Sequence, residues 1–332
     1  MFKKWVAGMA MVGSMMCAAQ ALAAYPERNI QAVIPWGAGG ATDSIARGLT
    51  PLVEKALDTR LVLTNRPGGT GLIGTNYVMQ QRADGYTMLY GAENPQLYQL
   101  LGIADFDYDA LHPINIIGQN RAVIAVPPDS PFKTMRELVD HAKAHPGELR
   151  MGVVGAGGLP STVFAMIDAV EDLDVREVTF GGDGPGITAL LGGHIDFMPL
   201  SLAPTRPQIQ SGRLRALAVF DKEEVAELPG VAPITDALPD MAPYLPWGSF
   251  WGVFVRKDVP EEVKQSLEVA YKQAVASPEF QQFLVNYGAG SLNLSGQEAE
   301  AFLKRWQSVT AWSIYRAGGA KTAPTELGIP QP

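Results

Sequence analysis

Four glycine-rich turns are the residues of this sequence best suited to bind a ligand. WGAGG and RPGGTG lie in the first half of the chain, and GAGG and FGGDGPG lie in the second. Each turn precedes a helical pattern, so it exposes backbone N–H groups where a helix begins. Such groups bind anions, because the helix dipole adds to the hydrogen bonds. The question is which anion these turns accommodate.

A nucleotide phosphate is the first candidate, and the spacing excludes it. A dinucleotide fingerprint requires G-x-G-x-x-G, whereas this chain has Gly37, Gly39 and then Thr42 at the third position. The second predicted strand should end near an acidic residue for the ribose, and it ends in Asn65. The P-loop pattern G-x-x-x-x-G-K-[ST] does not occur. The turns therefore indicate another anion, such as a carboxylate held by main-chain N–H groups.

Catalytic and metal-binding patterns are weak. His141 and His145 have the i, i+4 spacing of a zinc site, but no H-E-x-x-H surrounds them. Their predicted helix is polar, which favours a solvated face over a metal site. His194 follows a glycine and is interpreted as a turn residue, and no G-x-S-x-G elbow occurs. We expect no catalysis, no metal and no cofactor, and an exported hydrolase with an unrecognised site stays open as an alternative.

The first 23 residues are predicted to be a signal peptide. Two lysines precede an apolar stretch that ends near Ala19, and ALA at 21–23 supplies the small residues for cleavage near Ala23. The stretch is short for a membrane span of ~20 residues. The only cysteine, Cys17, lies within it, so the exported chain has no disulfide and no thiolate chemistry. These features predict a periplasmic protein.

Charge and length narrow the class of protein further. Removing residues 1–23 takes away two lysines and no acids, which leaves 24 basic and 34 acidic residues and a net charge of −10. This excess of acid opposes nucleic acid and anionic membranes as partners. The remaining length and a composition that is 47% apolar allow a large core and about two domains.

Strand and helix patterns alternate along the chain. This alternation predicts an α/β fold with mostly parallel sheets and helices on both faces, and ligands in such folds sit beyond the carboxyl ends of the strands. Two apolar segments, AVIAVPP and SFWGVFVRK, are extended enough to cross between lobes. We therefore predict one lobe from residues 25–122 plus 248–332 and a second lobe from 123–247, with a ligand cleft between them.

Taken in order, these segments resemble the Bug/TctC family of extracytoplasmic solute receptors. The likeness runs through YPERNIQAVIPWGAGGATDSIAR, NRPGGTGLIGTNYVMQQRADGYTMLYG and VTFGGDGPGITALLGGHIDFMPLSLAPTRPQIQSGRLRALAVF, and it covers nearly the whole exported chain. The resemblance implies a two-lobed, type II-like periplasmic binding protein that delivers a small organic carboxylate to the membrane subunits of a tripartite tricarboxylate transporter. We expect a monomer. A ligand sensor that feeds a membrane kinase is an alternative with the same pocket.

The resemblance also implies where the pocket lies. Trp36, Phe180 and Gly181 stand where the family has Phe, Tyr and frequently a base. This difference favours a ligand with an apolar or aromatic body over citrate, unless both rings only support the loops. Glu93 either holds an amino group in the cleft or is a solvated loop acid. The predicted ligand-binding residues are Trp36, Gly37, Ala38, Gly39, Gly40, Thr42, Asp43, Glu93, Gly155, Ala156, Gly157, Gly158, Ser161, Thr162, Phe180, Gly182, Asp183 and Ser201.

Overall fold

A computed structural model describes residues 25–153, 157–180 and 183–332. The predicted signal peptide and three predicted ligand residues, Gly155, Ala156 and Gly182, lie outside these ranges. The strands are β1 (Ile30–Ile34), β2 (Leu61–Asn65), β3 (Thr87–Ala92), β4 (Leu111–Asn120), β5 (Ala122–Val126), β6 (Arg150–Val153), β7 (Arg176–Thr179), β8 (Met198–Ser201), β9 (Arg215–Val219), β10 (Phe250–Arg256) and β11 (Ala289–Leu294).

Helices connect and cover these strands. The α-helices are α1 (Ala41–Leu57), α2 (Leu72–Met79), α3 (Tyr98–Leu101), α4 (Met135–Ala144), α5 (Leu159–Glu171), α6 (Asp183–Leu191), α7 (Leu202–Gln210), α8 (Ile234–Ala237), α9 (Glu261–Val275), α10 (Pro278–Tyr287) and α11 (Gly296–Arg316). Short 3-10 helices span Asn94–Leu97, Tyr108–Ala110 and Pro239–Tyr244. Within the described residues, no helix combines the length and apolarity that a membrane span requires.

The largest sheet has six strands in the order β11-β4-β10-β3-β1-β2. β1 pairs in parallel with β2 and β3. β10 runs antiparallel to both β3 and β4, and β11 runs antiparallel to β4. Helix α1 packs against α9 on this sheet, and buried Ile34, Leu49 and Leu267 belong to the apolar cluster between them.

Two smaller sheets form from the strands between residues 122 and 219. β5 lies between β8 and β9 and is antiparallel to both, whereas β6 and β7 are parallel. An isolated parallel bridge between Met151 and Phe197 joins β6 to the segment that enters β8. The apolar faces of these strands pack against α5 and α6 through residues such as Val163, Leu190 and Met198.

The predicted α/β class is confirmed, and its sheets are more mixed than the alternation alone predicts. Parallel pairing joins β1, β2 and β3 and also β6 and β7. Strands β5 and β10 pair only in the antiparallel sense. Each of these two strands is the first that the chain forms after it passes from one sheet to another. Neither is joined to a neighbour in its own sheet by the helical crossover that parallel pairing requires.

The chain leaves the six-stranded sheet between two consecutive strands. β4 ends at Asn120 in the six-stranded sheet and β5 begins at Ala122 in a smaller sheet. Arg121 lies between them and pairs with Glu227 at 2.6 Å. Strands that end by Asn120 and strands that begin at Phe250 or later thus share one sheet, while the strands between them form the other sheets. The lobe boundaries at 122/123 and 247/248 remain a prediction.

Local sequence signals predicted the start of α4 and both ends of α10. Thr134 with Glu137 three residues on has the sequence pattern of a capping box. The Thr134 hydroxyl accepts from the backbone N–H of Glu137 at 3.2 Å, and the Glu137 carboxylate accepts from that of Thr134 at 3.1 Å, so this prediction is confirmed. The sequence pattern also predicts a helix from Pro278 to Tyr287, and α10 has these bounds. The sequence pattern missed α7 because its segment, LAPTRPQIQ, contains two prolines that ordinarily argue against a helix.

Candidate ligand cleft

A cleft of about 950 Å³ opens where the carboxyl ends of β1 and β3, the β4–β5 crossing and the starts of α1, α5 and α6 meet. This is the edge at which α/β sheets bind ligands. The structure brings together on its wall nine of the residues predicted from the sequence: Trp36, Gly37, Ala38, Gly40, Thr42, Glu93, Gly158, Asp183 and Ser201.

The start of α1 supplies backbone donors to the cleft. Gly39 has φ of +79°, a left-handed conformation that glycine adopts readily. Gly40 is the N-cap, and within the described residues no side chain caps this end. Ala41 and Thr42 line the cleft, and N–H groups in the first helical turn have no acceptor inside the helix. This end of α1 is therefore suited to an anion.

Asp43 lies beneath the turn rather than on the cleft wall. Its carboxylate accepts hydrogen bonds from Gly39 N–H at 2.8 Å, Arg47 Nε at 2.9 Å and Asn65 Nδ2 at 2.9 Å. The same Asn65 amide donates to Trp36 C=O at 3.0 Å. The Arg47 hydrogen bond is the main reason that the pKa of Asp43 falls from 3.8 to about 2. In this arrangement Gly39 N–H is already used, and Asp43 braces the loop.

The start of α5 lies across the cleft and divides its residues between two cavities. Gly158, its N-cap, lines the cleft together with Leu159 and Pro160. Gly157, which has φ of +72°, lines a neighbouring cavity of about 310 Å³. Ser161 and Thr162, two further predicted ligand residues that the structure describes here, line the neighbouring cavity as well.

The aromatic residues of the site are not the pair that the sequence indicated. Trp36 lines the cleft and packs so closely on the second glycine turn that a Cβ on Gly71 would lie 3.2 Å from its ring. Phe180 is absent from the described cleft wall and packs in the apolar cluster that contains Leu190. Trp251, which the sequence analysis did not select, lines the cleft instead and is 3% exposed.

Two carboxylic acids line the cleft. Burial raises the pKa of Glu93 to about 7, against a small opposing effect of its own backbone N–H. Burial also raises the pKa of Asp183, and hydrogen bonds from the hydroxyl and backbone of Ser201 partly offset this rise. One basic residue, Lys321, is described on this wall, and its side chain is exposed. The side chains of the cleft wall thus offer mainly hydrogen-bond acceptors, and its main chain offers hydrogen-bond donors.

Sequence reasoning missed several residues of the cleft, because long-range pairing brings them there. Asn120 lies just before the first crossing segment and Ser249 lies within the second, and Asn120 N–H donates to Ser249 C=O at 2.6 Å. Lys321 follows the last helix, and its backbone N–H is anchored on Leu100 C=O at 2.8 Å. For Asn120 and Ser249, the one signal in the sequence is that each is a polar residue at the end of an apolar segment.

The histidine pair lies elsewhere, at the C-terminal end of α4, where His145 is the C-cap. The rings of His141 and His145 stack at 4.3 Å between centroids, and His141 Nε2 lies 3.4 Å from Glu148 Oε1. One ligand atom from each of the three lies within 4.8 Å of the others, so the group has the donor types of a metal site. His145 and Glu148 are exposed, and the exposure of His145 agrees with the solvated face predicted for the histidine pair. The cluster does not line the ligand cleft.

The sheets and the cleft match the two-lobed fold of solved periplasmic binding proteins, which are receptors and not enzymes. Residues 45–312 match the family model described as "Tripartite tricarboxylate transporter family receptor", TctC. The chain belongs to this family, as its sequence predicted. A UPF0065 protein of Bordetella pertussis is 28% identical over 285 residues, which cover 84% of this chain and 86% of the relative.

Solved structures agree on the fold. A TctC solute-binding protein from Polaromonas has a TM-score of 0.76 and 25% identity, over 88% of this chain and 99% of that one. The periplasmic binding protein BugD has a TM-score of 0.74 and 26% identity, over 90% and 100%. Rpa4515 of R. palustris with adipate has a TM-score of 0.76 over 89% and 98%, and at 23% identity this likeness concerns the fold alone.

Proposed function

We propose that this receptor captures a small organic carboxylate in the cleft and delivers it to the membrane subunits of a tripartite tricarboxylate-type transporter. The observation that supports this most directly is the meeting of two helix starts, α1 and α5, at one cleft. Both have a glycine as N-cap and, within the described residues, neither is capped by a side chain. Each helix comes from a different sheet region, so a carboxylate between them would hold both halves of the chain together.

The ligand's body is proposed from the same wall. Trp36 and Trp251 line the cleft beside the helix starts, and Trp251 is almost fully buried. The ring of Trp36 therefore carries the argument for an apolar or aromatic ligand body over a compact tricarboxylate. The predicted ranking is benzoate and adipate above citrate, measured by calorimetry and by thermal shift. A ligand at ~100 times its Kd adds ~2.7 kcal/mol to the free energy of unfolding. A largest shift with citrate, or an unchanged ranking in Trp36→Ala, would contradict the aromatic contact.

The main-chain cradle can be tested at Ala41, the first residue of α1. Proline is favoured at this position of a helix and removes one N–H, and the extended backbone of Gly40 (ψ 175°) suits a following proline. We expect Ala41→Pro to fold normally and to bind the best carboxylate at least ~10-fold more weakly, because a hydrogen bond to a charged group is lost.

The matched control is Ala41→Gly, which keeps the N–H and adds no side chain. Its affinity should stay within about threefold of the wild type, since only a small helix-propensity cost is introduced. Equal affinity in the proline and glycine variants would refute carboxylate binding by the start of α1. A failure of adipate, malate, benzoate and citrate to bind the wild-type chain would refute the proposed function itself.

A further inference from the structure

Away from the cleft, the C-terminal end of α4 brings together three side chains of the types that bind transition metals. His141 lies in the last turn of the helix, His145 is its C-cap, and Glu148 follows three residues later. The spacing i, i+4, i+7 places side chains on one face of a helix. One ligand atom from each of the three lies within 4.8 Å of the others.

Backbone hydrogen bonds hold the turn that carries Glu148. Its N–H donates to His145 C=O at 3.2 Å, and Gly147 N–H donates to Asp174 C=O at 3.0 Å. The guanidinium of Arg176, in β7, donates to Glu148 C=O at 3.2 Å. The turn is therefore fixed both to the end of α4 and to the segment that enters β7, so the third side chain is held beside the histidine pair before any ion arrives.

Both histidines have the ring nitrogen that a metal needs. His145 Nδ1 lies 3.2 Å from His141 C=O. A carbonyl oxygen only accepts, so Nδ1 carries the hydrogen and Nε2 of the neutral ring keeps its lone pair. A backbone carbonyl on the other ring nitrogen is the support that metal-binding histidines usually have. The ring of His141 packs against Phe132 at 5.1 Å between centroids, with its Nε2 towards Glu148.

The distances and the donor set select the ion. Bonds of about 2.0–2.1 Å put two ligand atoms about 3.4 Å apart at a tetrahedral angle and about 2.9 Å apart at a right angle. His141 Nε2 and Glu148 Oε1 are 3.4 Å apart, as tetrahedral zinc requires. The wider gaps, up to 4.8 Å, close by rotation of exposed side chains. Two imidazoles and one carboxylate suit zinc, whereas calcium and magnesium prefer oxygen ligands alone.

The charges around this end of α4 also favour a cation. The C-terminal end of a helix carries partial negative charge. Among the described residues, the one ion pair of Glu148 is with His141, so its carboxylate is not neutralised by a lysine or an arginine. Lys143, on the same turn of α4, pairs instead with Glu171 at 2.5 Å.

We propose that His141, His145 and Glu148 form a zinc site on the surface of the protein, with water in the remaining coordination position. Three protein ligands and one open position are a usual arrangement for zinc. The histidine pair alone favoured a solvated face, and the turn after α4 supplies the third ligand. The cluster does not line the cleft, so this inference goes beyond carboxylate capture and does not depend on it.

The experiment titrates zinc chloride into the protein in a calorimeter, after chelator treatment and without a polyhistidine tag. We expect one zinc ion per chain to bind most tightly, and magnesium and calcium chloride to give no binding at the same concentrations. His145→Ala and Glu148→Gln should each weaken this binding at least about tenfold, since even the loss of a group that supports a ligand costs that much.

The matched control is His194→Ala, which removes one exposed imidazole elsewhere on the chain and should keep zinc affinity within about threefold of the wild type. Equal zinc affinity in His145→Ala, Glu148→Gln and His194→Ala would overturn the site, as would calcium binding as tightly as zinc. Carboxylate affinity should be unchanged in all three variants. A variant that loses zinc and carboxylate together would refute the independence of this site from the cleft, whereas a failure of zinc alone leaves carboxylate capture standing.

Discussion

Replacing Asp43 by asparagine should loosen the turn that begins α1. The variant keeps an oxygen for Gly39 N–H but loses the charge that pairs with Arg47. The pKa of Asp43 falls from 3.8 to about 2 in the folded protein, and each unit corresponds to about 1.4 kcal/mol. The full value is about 2 kcal/mol, and solvent reduces it because the Arg47 side chain is 50% exposed. We expect Asp43→Asn to lose about 1–2 kcal/mol at pH 7.

Because the folded pKa of Asp43 is depressed, its contribution is complete above the unfolded pKa, near 4, and is lost as the pH falls through about 2. Urea unfolding of wild type and Asp43→Asn at pH 7 and pH 3 should therefore show the difference shrinking to about half at pH 3. Carboxylate affinity should fall as well, since the turn positions the N–H groups of α1.

The control is Asp140→Asn, whose carboxylate is 64% exposed and 3.5 Å from Arg136. Exposed pairs of this kind contribute less than about 0.5 kcal/mol. The reasoning is refuted if Asp43→Asn costs no more than Asp140→Asn, or if its cost is the same at pH 7 and pH 3.

Three further variants test other parts of the structure. Gly248→Ala should cost more than about 2 kcal/mol in chemical unfolding, because its Cβ would lie 1.9 Å from Asn120 C=O; a neutral result would show that the crossing is free to shift. Thr134→Ala should cost about 1 kcal/mol through loss of the capping box and leave ligand affinity unchanged, so any change in Kd would contradict its placement away from the cleft. Gly39→Val should abolish binding in calorimetry, because a β-branched residue is strained at φ of +79°, and native-like affinity would rule out a role for this turn geometry.

The sequence by itself determined the class of protein and most of its elements. Periodicity and glycine turns are local signals, so they located β1, α1, α5 and the capping box at Thr134 without any knowledge of pairing. The missing third glycine at Thr42 excluded a dinucleotide site, and the ordered motifs identified the receptor family. Residues at the start of α1 line the cleft. The sequence could identify them because the residues that form the turn and its backbone donors are consecutive in the chain.

Only the tertiary structure decided what each polar side chain of the site contacts. Asp43 is a neighbour of the cleft in sequence but bonds to Asn65 and Arg47 beneath the turn. Asn120 and Lys321 are distant in sequence and reach the cleft through strand pairing and the anchored C-terminal segment. The choice between a solvated and a cleft-facing Glu93 was also undecided by local pattern. Side-chain environment depends on contacts between residues far apart in the chain, and one sequence does not encode these contacts as a local signal.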